Sequence, residues 1–213
     1  MTETIKVGFK RLNDNAIIPT KAHATDSGFD LYASKDVIIE PGDTVIVPTG
    51  IAIELPAGYE AQVRPRSGVT AKTKLRVQLG TIDNEYRGEI GVIVDNISEE
   101  TFNLGNSSVN YLAKLIDGKR GRADVINGGI PCDYNTYLIR KGDRIAQLVI
   151  QPIPTVEAYE VEGELKTTER GESGFGSTGV SNVCNHGPEP EYCPYCTEYD
   201  DNLPGWRPKR EGY

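Results

Sequence analysis

The sequence predicts an all-β fold in the form of an antiparallel barrel or jelly roll. Short runs of β-branched residues recur along the chain, and turn signals such as Pro41-Gly42-Asp43 separate them. Their close spacing leaves no room for intervening helices, which disfavours an alternating α/β sheet. The runs lie at residues 37–39, 45–47, 51–53, 76–79, 90–94 and 145–150.

Each run is bounded by residues that favour turns. Pro41-Gly42-Asp43 joins the first two runs, and Pro56-Ala57-Gly58 follows the third. The polar stretch 79–88 lies between the fourth and fifth runs and predicts a hairpin. Lys141-Gly142-Asp143 precedes the last run. Each element is therefore expected to be a short strand that ends in a tight turn.

Two segments interrupt this pattern. Residues 98–137 are rich in Asn, Gly and Ser, and within them residues 109–116 predict a short helix. Residues 181–213 carry three of the four cysteines, one of the two histidines and the only tryptophan. We therefore expect a domain over residues 1–180, with 98–137 as an inserted segment, and a Cys/His-containing C-terminal extension over 181–213.

Composition limits the class of protein. A chain of 213 residues with 38% hydrophobic residues is long enough for one globular domain with its own core. It carries no apolar run of membrane-spanning length and no signal peptide, so a cytoplasmic protein without a membrane partner is expected. The net charge of −8 argues against general nucleic-acid binding. Residues 64–76 nevertheless hold five basic residues and no acidic one, which predicts a focused anion site.

The glycine-rich stretch from Arg170 to Gly179 carries the strongest functional signal. Glycine loses more conformational entropy on ordering than any other residue, so residues 165–180 are expected to form a mobile lid. Backbone N–H groups, two hydroxyls and the Arg170 guanidinium suit a polyphosphate, and Phe175 can cover a base. A dinucleotide fold would need a strand before this G-x-G-x-x-G pattern and a helix after it. A plain linker would need neither Arg170 nor Phe175.

Three further polar motifs precede this lid. The motif Ala24-Thr-Asp-Ser-Gly-Phe-Asp30 places two carboxylates around a glycine, for which a turn role is the alternative. Arg64-Pro-Arg-Ser-Gly68 suggests a phosphate clamp or a structural turn. The hairpin offers Asp83 and Tyr86. Two histidines in the whole chain make a Ser-His-Asp triad improbable, so a carboxylate is the candidate general base.

Together and in this order, the motifs resemble the five motifs of the trimeric deoxyuridine triphosphatase (dUTPase) family. The resemblance covers most of residues 5–96 and 138–180 and places the dUTPase domain at 1–180. The segment Gly80-Thr-Ile-Asp-Asn-Glu-Tyr-Arg-Gly88 resembles the third motif of the family, and Lys141-Gly-Asp-Arg-Ile-Ala-Gln-Leu148 resembles the fourth. It implies a jelly-roll-like distorted β barrel that forms a homotrimer, with each site drawing on three chains.

The resemblance also implies an activity and residue roles. The reaction would be Mg²⁺-assisted hydrolysis of dUTP to dUMP and pyrophosphate, which limits uracil in DNA and supplies dUMP for dTMP synthesis. Asp83 would activate the attacking water, and Asp30 would contact Mg²⁺ through water. The implied substrate-binding residues are Arg66, Ser67, Gly68, Gly80, Thr81, Tyr86, Gln147, Arg170, Phe175, Gly176, Ser177 and Thr178.

Two alternatives to this function stay open. A dCTP deaminase shares the fold family, but its glutamate base does not match Asp83 beside an Arg-Ser-Gly motif. The chain could also be a dUTPase-fold module that binds a regulatory protein through 98–137 or 181–213. The insert resembles that of some phage-encoded dUTPases, which would place the protein in a host cytoplasm. Its basic stretch Asp117-Gly-Lys-Arg-Gly-Arg122 could meet an acidic partner or nucleic acid, whereas an idle ordered loop is the alternative.

The C-terminal extension predicts a structural zinc site. Cys184, His186, Cys193 and Cys196 supply three thiols and one imidazole, the ligand set of a closed tetrahedral site. A disulfide is disfavoured in a reducing cytoplasm. A disordered tail with incidental cysteines is the main alternative.

Overall fold

The computed structural model describes residues 4–100, 112–122 and 132–172, and within them the fold is all-β with one short helix. This confirms the predicted fold class. The elements are β1 Gly8–Arg11, β2 Phe29–Tyr32, β3 Val37–Ile39, β4 Thr44–Pro48, β5 Ile51–Glu54, β6 Tyr59–Pro65, α1 Ser67–Lys72, β7 Leu75–Val77, β8 Gly80–Ile82, β9 Gly91–Asn96, β10 Leu112–Leu115, β11 Arg120–Arg122, β12 Tyr137–Ile139 and β13 Arg144–Pro152.

The strands of the jelly roll form four small sheets. The largest two have the orders β2-β13-β6-β8 and β11-β10-β12-β3, beside a three-stranded sheet β4-β9-β7 and the pair β1-β5. Neighbouring strands are antiparallel, with the exception of β10 and β12, which pair in parallel. Apolar side chains such as Leu31, Ile139 and Leu148 are fully buried where the sheets face one another. This core holds the strands that carry the polar motifs.

The helix predicted for residues 109–116 is wrong where the structure describes it. Leu112–Leu115 forms strand β10, which pairs with β11 on one side and β12 on the other, while residues 109–111 lie outside the described ranges. Ala113 is fully buried against Leu138 and Cys132. Burial and ladder hydrogen bonds therefore outweigh the helical spacing of the apolar residues.

The strands β10 and β11 form a hairpin within the segment predicted as an insert. The Leu115 N–H donates to the Lys119 carbonyl at 2.7 Å, and Gly118 occupies the turn with φ +85°. Lys119 is the most exposed basic side chain of the turn, with 80% of its surface accessible. The Arg120 guanidinium lies 3.6 Å from the centre of the Tyr134 ring. The hairpin is thus an ordered extension of a sheet with a cationic and aromatic surface.

The chain divides into one unit up to Glu157 and a second that begins at Ala158. In the second unit, all of the described residues 158–172 are exposed. No helix in the described parts of the chain is long and apolar enough to cross a membrane.

Candidate active site

A polar pocket of about 410 Å³ brings together three of the sequence motifs. It lies where β2, the start of α1 and β13 meet. Five residues that line it were predicted as site residues: Asp30, Arg66, Ser67, Gly68 and Gln147. The other lining residues are Ala22, Asp26, Ser27, Gly28 and Arg144. The fold therefore brings motifs that are far apart in the sequence together on one concave surface.

Asp30 is the centre of an ion-pair network in this pocket. Its Oδ1 lies 3.0 Å from Arg66 Nε, and its Oδ2 lies 3.2 Å from Arg144 Nη1. Arg66 Nη1 also donates to the backbone carbonyl of Arg144 at 2.9 Å. The Asp30 side chain is only 13% exposed. Both oxygens of one carboxylate thus hold two guanidinium groups against the pocket wall.

Gln147 lies beside this network because of strand register. It pairs with Asp30 on β2 and with Arg64 on β6, and its Nε2 donates to the Pro65 carbonyl at 2.9 Å. Gly28 permits this close packing, since a Cβ at that position would lie 3.0 Å from Gln147 Oε1. The amide of Gln147 is therefore held at the floor of the pocket.

Ser67 and Gly68 are exposed in the first turn of α1. Arg66 occupies the N-cap position, but its side chain makes no capping hydrogen bond, because a guanidinium has only donors and cannot accept from an N–H; it pairs with Asp30 instead. The first N–H groups of a helix have no partner within the helix. The backbone at Ser67 and Gly68, together with the serine hydroxyl, can therefore donate to an anion in the pocket. Sequence reasoning read this stretch as a turn and missed the helix.

Asp83 and Tyr86 lie in a second group of polar residues on the loop that follows β8. The Tyr86 N–H donates to the Asp83 carbonyl at 3.1 Å and closes a turn that leaves the Asp83 side chain exposed. Asn84 anchors the loop, since its Nδ2 donates to the Pro56 carbonyl at 2.6 Å. The Tyr86 hydroxyl donates to the Glu89 carbonyl at 3.0 Å and lies against Gly88, where a Cβ would collide with that hydroxyl.

The structure does not bring these two groups together within one chain. Strand β8 pairs with β6 so that Gly80 faces Val63, Thr81 faces Gln62 and Ile82 faces Ala61. Asp83 follows Ile82 and so lies beyond Ala61, at the end of β6 away from Pro65. At about 3.3 Å per residue, the strand from Ala61 to Pro65 spans about 13 Å. Asp83 is not among the residues that line the pocket.

The lid motif lies largely beyond the described residues. Arg170 is exposed in the second unit, next to a turn in which the Gly171 N–H donates to the Thr168 carbonyl at 3.1 Å. The predicted contacts of Phe175, Gly176, Ser177 and Thr178 fall outside the described ranges. The predicted zinc ligands Cys184, His186, Cys193 and Cys196 do so too.

The carboxylates of the pocket suit a magnesium ion that is held mainly by substrate. Within the described ranges, no group of three His, Cys, Asp or Glu side chains could hold a metal by itself. Mg²⁺ commonly keeps several waters and binds through one or two carboxylates and substrate phosphates. Asp30 and Asp26 both line the pocket and provide such carboxylates.

Arg144 is the cationic residue of the pocket that was not among the predicted site residues. It lies three positions before Gln147 on the same strand, and regular alternation places such residues on opposite faces. The available signal was a basic residue at the start of a strand whose other residues are apolar except for Gln147 and Gln151.

Comparison with known proteins identifies the family. A family model described as dUTPase matches residues 14–116 and 133–179, which together make up more than half of the chain. The chain belongs to the dUTPase family. The match leaves residues 117–132 between its two segments, a shorter stretch than the predicted insert 98–137.

Curated dUTPases are similar to this chain over most of its length. The deoxyuridine 5'-triphosphate nucleotidohydrolase of Nautilia profundicola is 40% identical over 177 residues, which cover 82% of this chain and 99% of the relative. The enzyme of the same name from Clostridioides difficile is 41% identical, covering 80% of this chain and 95% of that protein. The second unit beyond residue 179 lies outside the family match.

Solved structures of phage dUTPases share the fold. A mutant dUTPase of Staphylococcus bacteriophage 80alpha with dUpNHpp is 35% identical with a TM-score of 0.72, and covers 83% of this chain and all of its own. The dUTPase of S. aureus phage phi11, known for a species-specific insert, is 33% identical with a TM-score of 0.67 over 75% of this chain and 97% of its own. The structure of a mutant of the phi11 dUTPase shows the coordination of a structural Mg(II) ion. That mutant is 33% identical with a TM-score of 0.66, and the match covers 74% of this chain and 97% of its own.

Proposed function

We propose that this enzyme of the dUTPase family hydrolyses dUTP to dUMP and pyrophosphate at sites built from several copies of the chain. The observation that carries the proposal is the phosphate-type pocket around Asp30, Arg66 and Ser67, separated from the exposed carboxylate of Asp83. A second copy must supply the missing half of each site. A homotrimer with heterologous contacts does this three times over.

In this proposal Asp83 is the general base. Its exposed carboxylate accepts a proton from a water molecule whose oxygen bonds to the α-phosphorus. The bond from the α-phosphorus to the bridging oxygen breaks, and pyrophosphate leaves with that oxygen. A carboxylate suffices, because positioning and charge stabilisation account for most of the catalysis of phosphoryl transfer.

The pocket holds the phosphates of the substrate. Arg66 and the hydroxyl of Ser67 bind α- and β-phosphate oxygens, the backbone at Gly68 donates further hydrogen bonds, and Gln147 orients a phosphate or the water. Mg²⁺, when bound beside Asp30, supplies positive charge against the phosphate oxygens. Arg66 and Gln147 are already held by the contacts described above, so little reorganisation of these two side chains is required at the moment of reaction.

The remaining residues recognise the nucleoside and close the site. Backbone at Gly80 and Thr81 reads the uracil edge, and Tyr86 packs on the deoxyribose where a 2′-hydroxyl would clash. Such a backbone-lined hairpin discriminates through shape and unpaired polar groups. From the lid, Phe175 stacks on uracil and Gly176 contacts the substrate. Arg170, Ser177 and Thr178 bind the γ-phosphate.

The test measures pyrophosphate release from dUTP, dCTP, dTTP and UTP, with Mg²⁺ and with a chelator. We expect release from dUTP in the presence of Mg²⁺ and little from the other three. Ammonia release from dCTP without pyrophosphate would instead indicate a deaminase. Loss of dUTP hydrolysis on chelation supports the magnesium role. The reaction would occur in the cytoplasm, or in the host cytoplasm if a phage encodes the protein.

A second function, binding of a regulatory protein, is favoured by the hairpin β10–β11. Its turn falls in the stretch that the family model leaves unmatched and presents Lys119. Beside the hairpin, Tyr134 lies against Arg120 and is 53% exposed. A phage 80alpha dUTPase with 36% identity and a TM-score of 0.70, covering 83% of this chain and 99% of its own, has been examined for SaPI-inducing capacity. An acidic partner surface suits these side chains.

Two substitutions separate the two functions. Lys119→Glu and Tyr134→Ala should leave dUTP hydrolysis unchanged and reduce co-purification of a partner from the cells that encode the protein. Loss of hydrolysis in either folded variant would place the hairpin in the active site. The C-terminal extension 181–213 is the alternative docking segment, and its deletion is the matching comparison.

The zinc site stays a prediction. Metal analysis of the purified enzyme should find one zinc per chain, and Cys193→Ser should remove it. Absence of zinc would leave residues 184–196 without a metal role.

A further inference from the structure

Strand β13 is irregular where it borders the pocket. In its pairing with β2, Arg144 faces Tyr32 and Ala146 faces Leu31, so Ile145 is an extra residue, a β-bulge. Without the bulge, the strand would direct Arg144 and Gln147 to opposite faces. Instead, Ile145 and Ala146 are both buried, at 2% and 0% exposure. Arg144 and Gln147 consequently both line the pocket.

The bulge thus directs a second arginine to the phosphate pocket. Bulges are common beside active sites, where they redirect a side chain. Arg144 keeps half of its side chain exposed, whereas Arg66 is 31% exposed. Arg66 already neutralises Asp30 through the shorter of the two ion pairs, so that carboxylate does not need Arg144 as a second partner. The exposed half of the Arg144 side chain is therefore open to a ligand in the pocket.

The charges of the pocket leave Arg144 available for a ligand. One carboxylate, Asp30, holds two guanidinium groups, so it neutralises only one of them. The other pocket carboxylate, Asp26, accepts the His23 N–H at 2.8 Å and lies 3.5 Å from the His23 ring, within its own turn. A guanidinium carries five N–H donors, and the contact of Arg144 with Asp30 uses its Nη1.

We propose that Arg144 is a further substrate-binding residue, which contacts the phosphate chain of the nucleotide. This inference rests on the proposed hydrolysis of dUTP. Asp30 holds the Arg144 fork in place before the substrate arrives, and the planar fork then matches phosphate oxygens in the way that a lysine cannot. The bulge at Ile145 is the feature of the fold that makes this contact accessible.

The test compares Arg144→Gln and Arg144→Lys with the control Arg11→Gln, which removes an exposed arginine on β1 away from the pocket. Inhibition constants are measured with Mg²⁺ for deoxyuridine, dUMP and an imido analogue of dUTP. We expect Arg144→Gln to raise the inhibition constant of the imido analogue about 10- to 100-fold, the range for a lost hydrogen bond between charged groups. Deoxyuridine should bind within about twofold of wild type, since it offers no phosphate.

The outcomes distinguish this inference from the proposed function. Wild-type enzyme that fails to hydrolyse dUTP overturns the proposed function. Active wild-type enzyme with equal analogue affinity in Arg144→Gln overturns the role of Arg144. Equal weakening of deoxyuridine and the analogue also overturns it, because it indicates a structural role. If Arg144→Gln fails to fold, Arg144→Lys decides: it should lose analogue affinity several-fold, keep deoxyuridine affinity and melt at the wild-type temperature.

Discussion

A site shared between chains can be tested by mixing two inactive variants. Asp83→Asn removes the proposed base and should lower turnover about 10²- to 10⁴-fold. Ser67→Ala removes a donor from the pocket at the other end of β6 and should cost about 10²- to 10³-fold. Because the register of β6 and β8 keeps Asp83 away from the pocket, the two lesions on different chains damage different halves of a site.

The magnitude follows from counting sites in mixed trimers. In a trimer that contains both variants, a site is intact when its Asp83 comes from the Ser67→Ala chain and its Ser67 from the Asp83→Asn chain, which holds for about one site in three. Activity of the mixed trimers should therefore recover to about 33% of wild type, against about 1% or less for either parent. Sites contained within single chains would give only the average of the two parents.

The assay is pyrophosphate release by coexpressed chains that carry different affinity tags, purified in sequence on both tags. As a control, the parents are purified separately and mixed without subunit exchange, which should stay at parental activity. A second control coexpresses wild type with a chain that carries both substitutions. Its mixed trimers should retain about one sixth of the sites if they are shared and about one half if they are not. Doubly tagged trimers with only parental activity would refute the shared site.

Three further predictions concern stability, pH and the lid. Gly50→Ala should lower the melting temperature by about 5–15 °C, since φ is +68° and a Cβ would lie 2.6 Å from Asn13 Nδ2. The control Gly42→Ala, with φ +82° and open space around the Cβ, should lower the melting temperature less. Equal shifts in the two variants would contradict the packing argument. Burial raises the pKa of Asp143 above its ordinary 3.8, so its contribution to stability is present below about pH 4 and lost as pH rises through the folded-state value. The Asp143→Asn variant should have the same melting temperature as wild type near pH 3 and a higher one near pH 7. Equal melting temperatures at both pH values would contradict this direction of the pH dependence. Truncation before Arg170 should lower kcat/KM on the order of 100-fold with an unchanged melting temperature, and full activity in that variant would exclude the lid.

Strand positions were largely predictable because β-branched residues and turns mark them locally. The run at 37–39 coincides with β3, and the runs at 45–47 and 145–150 lie within β4 and β13. Strand β6 was missed, since its alternation of Glu60, Gln62 and Arg64 with apolar residues contains too few β-branched side chains to stand out. Local propensity therefore identified the apolar strands better than the half-polar ones.

The parts of the site that depend on tertiary geometry were not predictable. The motifs pointed to Asp30, Arg66, Ser67 and Gln147, and the structure places all four around one pocket. The position of the Arg144 side chain depends on a bulge, and nothing in the run of residues 145–150 shows where the strand gains an extra residue. The separation of Asp83 from the pocket likewise follows from the pairing of β8 with β6, a long-range register.

The parallel pairing of β10 with β12 requires the chain to return along the sheet before it enters β12. Lys114 faces Tyr137 and Leu115 faces Leu138, and the Lys114 N–H donates to the Thr136 carbonyl at 2.8 Å. Strand β11 begins this return by pairing antiparallel with β10, and the connection to β12 follows Arg122. The closure entropy of such a connection grows only slowly with its length. Residues added after Arg122 should therefore cost little, while β2, β6 and β13 keep the geometry of the pocket.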